Sequence, residues 1–172
     1  NDAFALSNTD DEHGKEMLGE IKARRFSYGF NGGENFHAEI KKLNFNGLEL
    51  SFNGQDVNSK LLGKFNAYNL LAVWGTSKLL GFDMQKVKNI MGNIEPPKGR
   101  FEHFLSQSGV LVVIDYAHSP DALEKIFRAV VEIKGNGKII SVFGCGGDRD
   151  PLKRRIMGKI GATFSDIAIF TS

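Results

Sequence analysis

The sequence is poor in residues that stabilise a fold through covalent or metal cross-links. It has one cysteine, Cys145, so no intramolecular disulfide can form, and no CxxC pair or Cys/His cluster indicates a zinc site. No apolar run approaches the roughly 20 residues that span a bilayer. Basic and acidic residues nearly balance, at 22 and 20, so charge provides no general attraction for nucleic acid or membranes. We therefore expect a cytoplasmic globular protein without nucleic-acid binding or membrane insertion.

The first 97 residues mix strand patterns with helical ones. An Asn-Gly pair at 46–47 separates two alternating stretches, which is typical of a β-hairpin. Apolar residues recur with a helical period over 65–80, and a second helix is expected over 83–91. Near the start of the chain, Thr9 or Asp10 can cap a further short helix. This half therefore predicts β-hairpins combined with helices.

A domain boundary is expected at the segment EPPKG, because two prolines and a glycine cannot continue a helix. It divides the chain into residues 1–97 and 98–172. Beyond it, VLVVID predicts a strand buried on both faces, and Ser119-Pro120 starts a helix. The strand KIISVFG, a helix from about Leu152 to Phe164 and the strand DIAIF follow. The expected arrangement is βαβαβ, half of a doubly wound α/β sheet that binds ligands at the carboxyl ends of its strands.

The loop GCGGDRD lies between a strand and a helix, a setting that favours anion binding. Gly146 and Gly147 allow close backbone approach, and the free N–H groups of the following helix attract negative charge. Arg149 adds a planar cation suited to a carboxylate or phosphate, beside Asp148. The loop has neither a Walker ending nor GxGxxG spacing. The residues alone leave open a plain glycine turn whose charges pair with one another in solvent.

Three further polar stretches are candidates for ligand contact. DYAHSPD places Asp115 at a strand end, where an acid can accept from ribose hydroxyls, and His118 beside a helix start, where it can donate to a phosphate. GKFNAYN offers the carboxamides of Asn66 and Asn69, which can read an adenine edge. Arg100 stands at the expected boundary. Helix capping by the aspartate or the asparagines, and an ordinary exposed histidine or arginine, remain the alternatives.

Four stretches in this order, GKFNAYNLLA, GRFE, DYAHSPDALE and FGCGGDRDPLKRRIMG, resemble the Mur ligase family, ATP-dependent enzymes that add amino acids to the peptidoglycan precursor. The chain is most similar to the member that adds the third amino acid. The resemblance implies that residues 1–97 form the latter half of the central ATP-binding domain. Residues 98–172 would form the first half of the Rossmann-like C-terminal domain.

The resemblance also implies roles for individual residues. Asn69 would contact adenine, and Arg149 would bind the carboxylate of the incoming amino acid. The implied nucleotide-binding set is Asn66, Asn69, Arg100, Asp115, Tyr116 and His118, and the implied substrate-binding set is Gly146, Gly147, Asp148 and Arg149. No catalytic residue and no metal ligand is assigned within this segment.

The family's phosphate loop, metal-binding residues and carbamoylated lysine have no counterpart in the sequence. We therefore expect ATP and Mg²⁺ as cofactors, with the Mg²⁺ ligands outside this segment, and no turnover by the segment alone. The implied substrates are a UDP-N-acetylmuramoyl-dipeptide and a diamino acid. Meso-2,6-diaminopimelate is the expected one, with lysine or an analogue left open, and the full-length enzyme would be a monomer. A folylpolyglutamate or cyanophycin-type synthetase and a non-catalytic nucleotide-binding module are the alternatives.

Overall fold

The chain divides into two compact units, Asn1–Glu95 (unit 1) and Pro96–Ser172 (unit 2). The computed structural model describes residues 3–32, 34–145 and 151–171. The division falls at the two prolines from which the sequence predicts a boundary. Within the described ranges, every helix falls short of the length and apolarity that a bilayer crossing requires.

Unit 1 is built on a mixed five-stranded sheet in the order β1-β2-β3-β4-β5. Its described elements are β1 (Phe4–Asn8), a short 3-10 helix (Glu16–Leu18), β2 (Arg24–Gly29), β3 (Phe36–Asn44), β4 (Gly47–Phe52), β5 (Gln55–Ser59), α1 (Lys64–Leu79) and α2 (Met84–Asn93). Strands β1, β2 and β3 are parallel, whereas β3, β4 and β5 are antiparallel. The parallel strands therefore end at one edge of the sheet.

The predicted hairpin at 46–47 is confirmed as the connection between β3 and β4. Gly47 has a φ of 131°, and a Cβ at this position would lie 2.2 Å from the Ser59 carbonyl oxygen, so only glycine fits. A β-bulge interrupts the ladder between Ile40 and Lys42. Because the bulge adds one residue to β3, both Lys41 and Lys42 are exposed while apolar residues on either side face the core.

The core of unit 1 lies between the sheet and the two helices. Trp74 of α1 packs against Phe52 of β4, with ring centroids 5.5 Å apart. Other fully buried members include Leu48, Leu50, Val57, Leu71 and Met91. Asp83 caps α2 by accepting hydrogen bonds from the N–H groups of Gln85 and Lys86. The two helices predicted over 65–80 and 83–91 are therefore confirmed.

The expectation of a capped helix near Thr9 and Asp10 is wrong. The described segment after β1 forms turns and one 3-10 turn at Glu16–Leu18. The Asp10 carboxylate instead accepts hydrogen bonds from the Phe30 N–H and the Tyr68 hydroxyl. Long-range partners thus replace the local N–H groups that a cap would have used.

Unit 2 contains two short sheets and two helices in its described part. Its elements are β6 (Glu102–Leu105), β7 (Leu111–Ile114), α3 (Pro120–Ile133), β8 (Ile140–Gly144), α4 (Pro151–Phe164) and β9 (Ile167–Thr171). Ser119 caps α3 by accepting from the Ala122 N–H, and Pro120 follows at the first helical position. The predicted order of strands and helices from β7 to β9 is confirmed.

The pairing of β7 differs from the prediction. It forms an antiparallel hairpin with β6, whereas β8 pairs in parallel with β9. Within the described residues, these two pairs form separate sheets. The short connection around Gly109, whose φ is 80°, favours local antiparallel pairing. The prediction that VLVVID is buried on both faces is also wrong, since Leu111 to Val113 are half-buried and Ile114 is exposed.

The core of unit 2 is smaller and aromatic. Phe127 of α3 stacks on Phe164 of α4 at 5.6 Å and meets Phe143 of β8 edge-on at 6.4 Å. Met157 is buried beside them, and the Cys145 sulfur lies 3.6 Å from the Met157 sulfur, which agrees with the packing role expected for a small thiol. The opposite face of β8 and β9 is exposed.

Candidate functional site

The start of α1 presents the first group of candidate residues. The helix begins after Gly63, whose φ is 87°, and it has no side-chain cap. Asn66 and Asn69 are three positions apart, so they share one helix face. The Asn66 Nδ2 donates to the Leu62 carbonyl oxygen at 2.8 Å, and the Asn69 Nδ2 donates to the Asn66 Oδ1 at 3.2 Å. The two asparagines are therefore linked to each other, and neither acts as a cap.

Asp10 ties the same helix to the sheet edge. Its carboxylate accepts from the Tyr68 hydroxyl at 2.9 Å, from the Phe30 N–H at 2.7 Å and from the Asn31 Nδ2 at 2.7 Å. The Tyr68 ring also meets the Phe30 ring edge-on at 4.6 Å. Because Tyr68 lies between the two candidate asparagines in sequence, this network fixes the part of α1 that carries them.

The environment of Tyr68 keeps its phenol neutral. Burial, the hydrogen bond to Asp10 and the negative charges of Asp10 and Glu34 together raise the pKa of Tyr68 to about 12. Burial first, and then the charge of Asp11, also raise the pKa of Tyr28. The Tyr68 hydroxyl is thus a stable hydrogen-bond donor throughout the physiological pH range.

A strained turn in unit 2 presents Arg100. The turn begins at Gly99, with a φ of 67°, and ends at Phe101, with a φ of 50°. A positive φ is unusual for a bulky residue and marks a conformation that the surroundings must impose. The Phe101 side chain is 1% exposed, and the Gly99 N–H donates to the Glu102 Oε2 at 2.9 Å. Core burial and hydrogen bonding together stabilise the turn.

The end of β7 clamps this turn. The Phe101 N–H donates to the Asp115 Oδ2 at 2.8 Å, and the Tyr116 N–H donates to the Gly99 carbonyl oxygen at 2.9 Å. Asp115 is half-buried, and no described residue donates a hydrogen bond to its Oδ1. The structure therefore holds the Asp115 carboxylate in one orientation and leaves its Oδ1 able to accept a hydrogen bond from a ligand. Ser119, not Asp115, caps the next helix.

Three exposed side chains surround this clamp. The Arg100 guanidinium lies 6.0 Å from the centre of the Tyr116 ring, and the His118 ring lies 5.4 Å from the same ring. The His118 Nδ1 is 3.1 Å from the Tyr116 carbonyl oxygen, which can only accept, so Nδ1 carries a proton. A neutral His118 therefore offers Nε2 as an acceptor, and it donates from Nε2 only as the imidazolium.

The structure thus brings Arg100, Asp115, Tyr116 and His118 together within unit 2, and it links Asn66 to Asn69 within unit 1. The predicted residues Gly146, Gly147, Asp148 and Arg149 lie outside the described residues. In the described ranges, no group of three His, Cys, Asp or Glu side chains is arranged to hold a metal ion.

A cavity of about 410 Å³ lies at the carboxyl ends of β8 and β9. Its walls include Phe143, Cys145, Arg154, Phe170 and Thr171. The ends of parallel strands are the usual place for ligands in α/β folds. The cavity therefore lies at the end of the strand that precedes the loop GCGGDRD, and Arg154 is a cation in its wall.

The residues that support the candidates give no sign of this role in the sequence. Phe101, Asp10 and Tyr68 bind no predicted ligand, yet they fix the neighbouring polar groups. The glycine in PPKGR signals a turn, but no sequence signal indicates the positive φ of Phe101. The pairing of Asp10 with Tyr68 joins residues 58 positions apart, which local patterns cannot predict.

Comparisons with known proteins identify relatives along nearly the whole chain. The Mur ligase middle domain matches residues 1–77, and the Mur ligase glutamate ligase domain matches residues 99–172. A UDP-N-acetylmuramoyl-L-alanyl-D-glutamate–2,6-diaminopimelate ligase from Cytophaga hutchinsonii is 42% identical over all 172 residues of this chain, which cover 35% of that relative. The ligase of the same name from Parabacteroides distasonis is 41% identical over 170 residues, with 98% of this chain and 35% of the relative covered.

A solved structure agrees with these relatives. A UDP-N-acetylmuramoyl-L-alanyl-D-glutamate–2,6-diaminopimelate ligase superposes with a TM-score of 0.72 at 28% identity, over 99% of this chain and 37% of that one. The chain thus spans about a third of the length of the curated relatives it matches. Because successive Mur ligase domains match its two halves, and its fold matches a ligase of that family, the chain belongs to the Mur ligase family.

Proposed function

We propose that this chain supplies the adenosine-binding and amino-acid-binding residues of an ATP-dependent ligase. The ligase would add meso-2,6-diaminopimelate to UDP-N-acetylmuramoyl-L-alanyl-D-glutamate, the reaction named for the relatives at 42% and 41% identity. The residues that would transfer phosphate have no counterpart in this sequence, so we expect no turnover by the 172-residue chain alone. A cytoplasmic, monomeric full-length enzyme remains our expectation.

The observation that carries this proposal is the clamp between the Gly99–Phe101 turn and the end of β7. Two hydrogen bonds, from Phe101 to Asp115 and from Tyr116 to Gly99, gather a cation, a carboxylate and a phenol at one point. Each of these groups suits one part of a nucleotide: the carboxylate can accept from ribose hydroxyls, the cation can bind phosphate, and the phenol ring offers a flat surface. The strained φ of Phe101 supports a functional reason for this geometry.

Each candidate would have a separate task. The Asp115 Oδ1 would accept from a ribose hydroxyl, while its Oδ2 stays bound to the Phe101 N–H. Arg100, positioned near the Tyr116 ring, would attract the phosphates, and His118 would lie beside them. In unit 1, the exposed Asn69 would read the adenine edge with one donor and one acceptor.

The remaining ligands are the phosphates of ATP, the incoming amino acid and Mg²⁺. ATP supplies the phosphoryl group that activates a carboxylate for attack by an amine. Arg149, with Gly146, Gly147 and Asp148, would bind the carboxylate of the incoming amino acid through charge-assisted hydrogen bonds. The Mg²⁺ ligands would come from elsewhere in the enzyme.

The test uses Asp115→Asn in a full-length ligase carrying this segment. Asparagine keeps an acceptor for the Phe101 N–H but removes the charge that would bind ribose. We expect the KM for ATP to rise roughly 10- to 100-fold, the range for a hydrogen bond to a charged group. The KM for diaminopimelate and the melting temperature should stay unchanged.

The matched control is Asp121→Asn, which removes an exposed carboxylate that pairs with Lys125 in the same unit. It should leave both KM values unchanged. An unaltered KM for ATP in Asp115→Asn would contradict the nucleotide role of the clamp. Diaminopimelate, lysine and glutamate compared as substrates would separate this ligase from folylpolyglutamate-type synthetases, and a full-length protein that ligates none of them would favour a binding module.

A further inference from the structure

We propose that Asn66 sets the base preference of the adenine site by fixing the orientation of the Asn69 carboxamide. Asn66 would thus be a positioning residue that acts through Asn69, rather than a contact of the base itself. The inference rests on the proposed function, in which Asn69 reads a purine. It assigns a specificity role to a hydrogen-bonded chain that starts at a backbone carbonyl group.

The first link of this chain determines which way Asn66 points. A backbone carbonyl can only accept hydrogen bonds, so the amide nitrogen of Asn66 must face the Leu62 oxygen, 2.8 Å away. The Asn66 Oδ1 therefore points in the other direction. The oxygen and nitrogen of a carboxamide have nearly the same shape, and here the hydrogen-bond partner decides which is which.

The second link transfers that orientation to Asn69. Because the Asn66 Oδ1 can only accept, the nitrogen of the Asn69 carboxamide must face it, at 3.2 Å. The Asn69 Oδ1 is then turned away from Asn66, and no described residue donates to it. Asn69 presents an outward acceptor together with its second N–H.

This orientation discriminates between purines. We take the edge that Asn69 reads to be the one formed by N1 and the 6-substituent, where adenine N1 accepts from Nδ2 and the exocyclic amine donates to Oδ1. Hypoxanthine reverses both groups, because its N1 carries a hydrogen and a carbonyl oxygen replaces the amine, so neither matches Asn69 in this orientation. If Asn69 could turn over, its Oδ1 would accept from the N1–H and its nitrogen would donate to the carbonyl oxygen, and the preference would be lost.

The backbone beneath the two asparagines is well fixed. Ala67 and Leu70, which flank them, are buried in the core of unit 1, and Tyr68 is bonded to Asp10. The remaining freedom of Asn69 is therefore rotation of its own carboxamide. Among the hydrogen bonds of the described residues, only the one to Asn66 opposes that rotation.

The experiment measures the dissociation constants of ATP and inosine triphosphate (ITP) with a full-length ligase carrying this segment. ITP differs from ATP at the exocyclic group that Asn69 would read. We expect the unmodified enzyme to prefer ATP by roughly tenfold or more, as for a bidentate amide on adenine. In Asn66→Ala, where Asn69 is free to turn, the ITP-to-ATP ratio of dissociation constants should fall at least about threefold.

The conservative variant Asn66→Asp makes the test independent of folding defects. A carboxylate still accepts from the Asn69 Nδ2 but cannot donate to Leu62, so it holds Asn69 in the same orientation. Its charge can weaken the binding of both nucleotides, yet the ratio should remain that of the unmodified enzyme. A loss of stability lowers the amount of active protein and leaves this ratio unchanged.

Asn93→Ala is the matched control, since the Asn93 Nδ2 donates to the Asn89 carbonyl oxygen at 2.8 Å in the same four-residue pattern on α2. Its ratio should not change. The inference is overturned if Asn66→Ala keeps the full preference while Asn69→Ala loses it, or if Asn66→Asp loses it as Asn69→Ala does. If Asn69→Ala itself leaves the ratio untouched, the adenine role of Asn69 in the proposed function fails as well.

Discussion

The two units hold their candidate residues in different ways. In unit 1, Asn66 and Asn69 stand on a helix whose opposite side is buried against a five-stranded sheet. In unit 2, Arg100, Asp115 and Tyr116 stand on short segments that hydrogen bonds clamp together. Core packing, with the hydrogen bond from Tyr68 to Asp10, positions the first group, and local hydrogen bonds around the buried Phe101 position the second. Variants should therefore damage the two groups by different routes.

The two units also differ in how completely their apolar side chains are buried. Trp74 and Phe52 of unit 1 are almost completely buried, whereas β8 and β9 of unit 2 expose a face of branched apolar residues. Ile140 and Val142 are 64% and 65% exposed, opposite Ile167 and Ile169 in register. Parallel strands are normally covered on both faces, so unit 2 has less buried apolar surface supporting it.

The largest effect is expected for Phe52→Ala. Removing a fully buried ring that contacts Trp74 should lower the unfolding free energy of unit 1 by about 3–5 kcal/mol. Trp74 is the only tryptophan in the sequence, so its fluorescence during urea unfolding reports on unit 1. Phe45→Ala, at an exposed position in the same hairpin, is the control and should change stability by about 0.5 kcal/mol or less. Equal losses in the two variants would contradict the assigned core.

A smaller effect is expected for Phe127→Ala in unit 2. Its ring contacts Phe143 and Phe164, and its loss should cost about 3 kcal/mol of unfolding free energy, measured by the circular dichroism of the helices. The Trp74 fluorescence midpoint should stay unchanged if the units unfold separately. Phe104→Ala, on an exposed position of β6, is the control. A shifted Trp74 midpoint would show that the two units unfold together.

The helix caps should be equivalent in the two units. Ser119→Ala removes the cap of α3, and Asp83→Ala removes that of α2, each at a cost of about 1 kcal/mol. Ser119→Asp should restore most of the stability, because aspartate also accepts at this position. Urea unfolding followed by circular dichroism tests both. A cost confined to one unit would mean that its surroundings, rather than the cap, decide the effect.

The smallest effect concerns the pH dependence of unit 1. The pKa of Tyr68 is raised from 10.0 to about 12, chiefly by burial, so the unfolded chain loses the phenolic proton at a lower pH than the folded one does. The stabilisation is complete below pH 10.0 and is lost as the pH rises towards about 12. Tyr68→Phe should make this decline shallower, as measured by urea midpoints from Trp74 fluorescence. An unchanged slope would contradict the contribution of Tyr68.

Much of the fold follows from local sequence patterns. The hairpin at Asn46-Gly47, the capped start of α3 and the order of elements from β7 to β9 are all set by turn residues and apolar periodicity. The partner of β7 is not, because strand pairing depends on which strands come close in space. The exposure of Ile114 follows from that pairing and could not be predicted from an apolar run alone.

The sequence indicates candidate ligand-contacting residues, but it does not indicate the hydrogen bonds that position them. Family resemblance indicates Asn69, Arg100 and Asp115 as ligand contacts, and their roles stay predictions. The hydrogen bond from Phe101 to Asp115 depends on a backbone conformation that bulky residues rarely adopt. The link between Asp10 and Tyr68 depends on tertiary folding, because these residues are distant in sequence.

Because of the bulge in β3, the two strands of the β3–β4 hairpin differ in their tolerance of a one-residue deletion. Ile40 faces Leu50 and Leu43 faces Leu48 across the ladder, while Lys42 alone is paired with Glu49 and Lys41 is the extra residue. Deleting Lys41 would produce an uninterrupted ladder with the same side chains inside. Deleting Glu49 from β4 would instead turn the residues beyond it to the wrong face, since side chains alternate along a strand. One strand of this hairpin can thus lose a residue, and the other cannot.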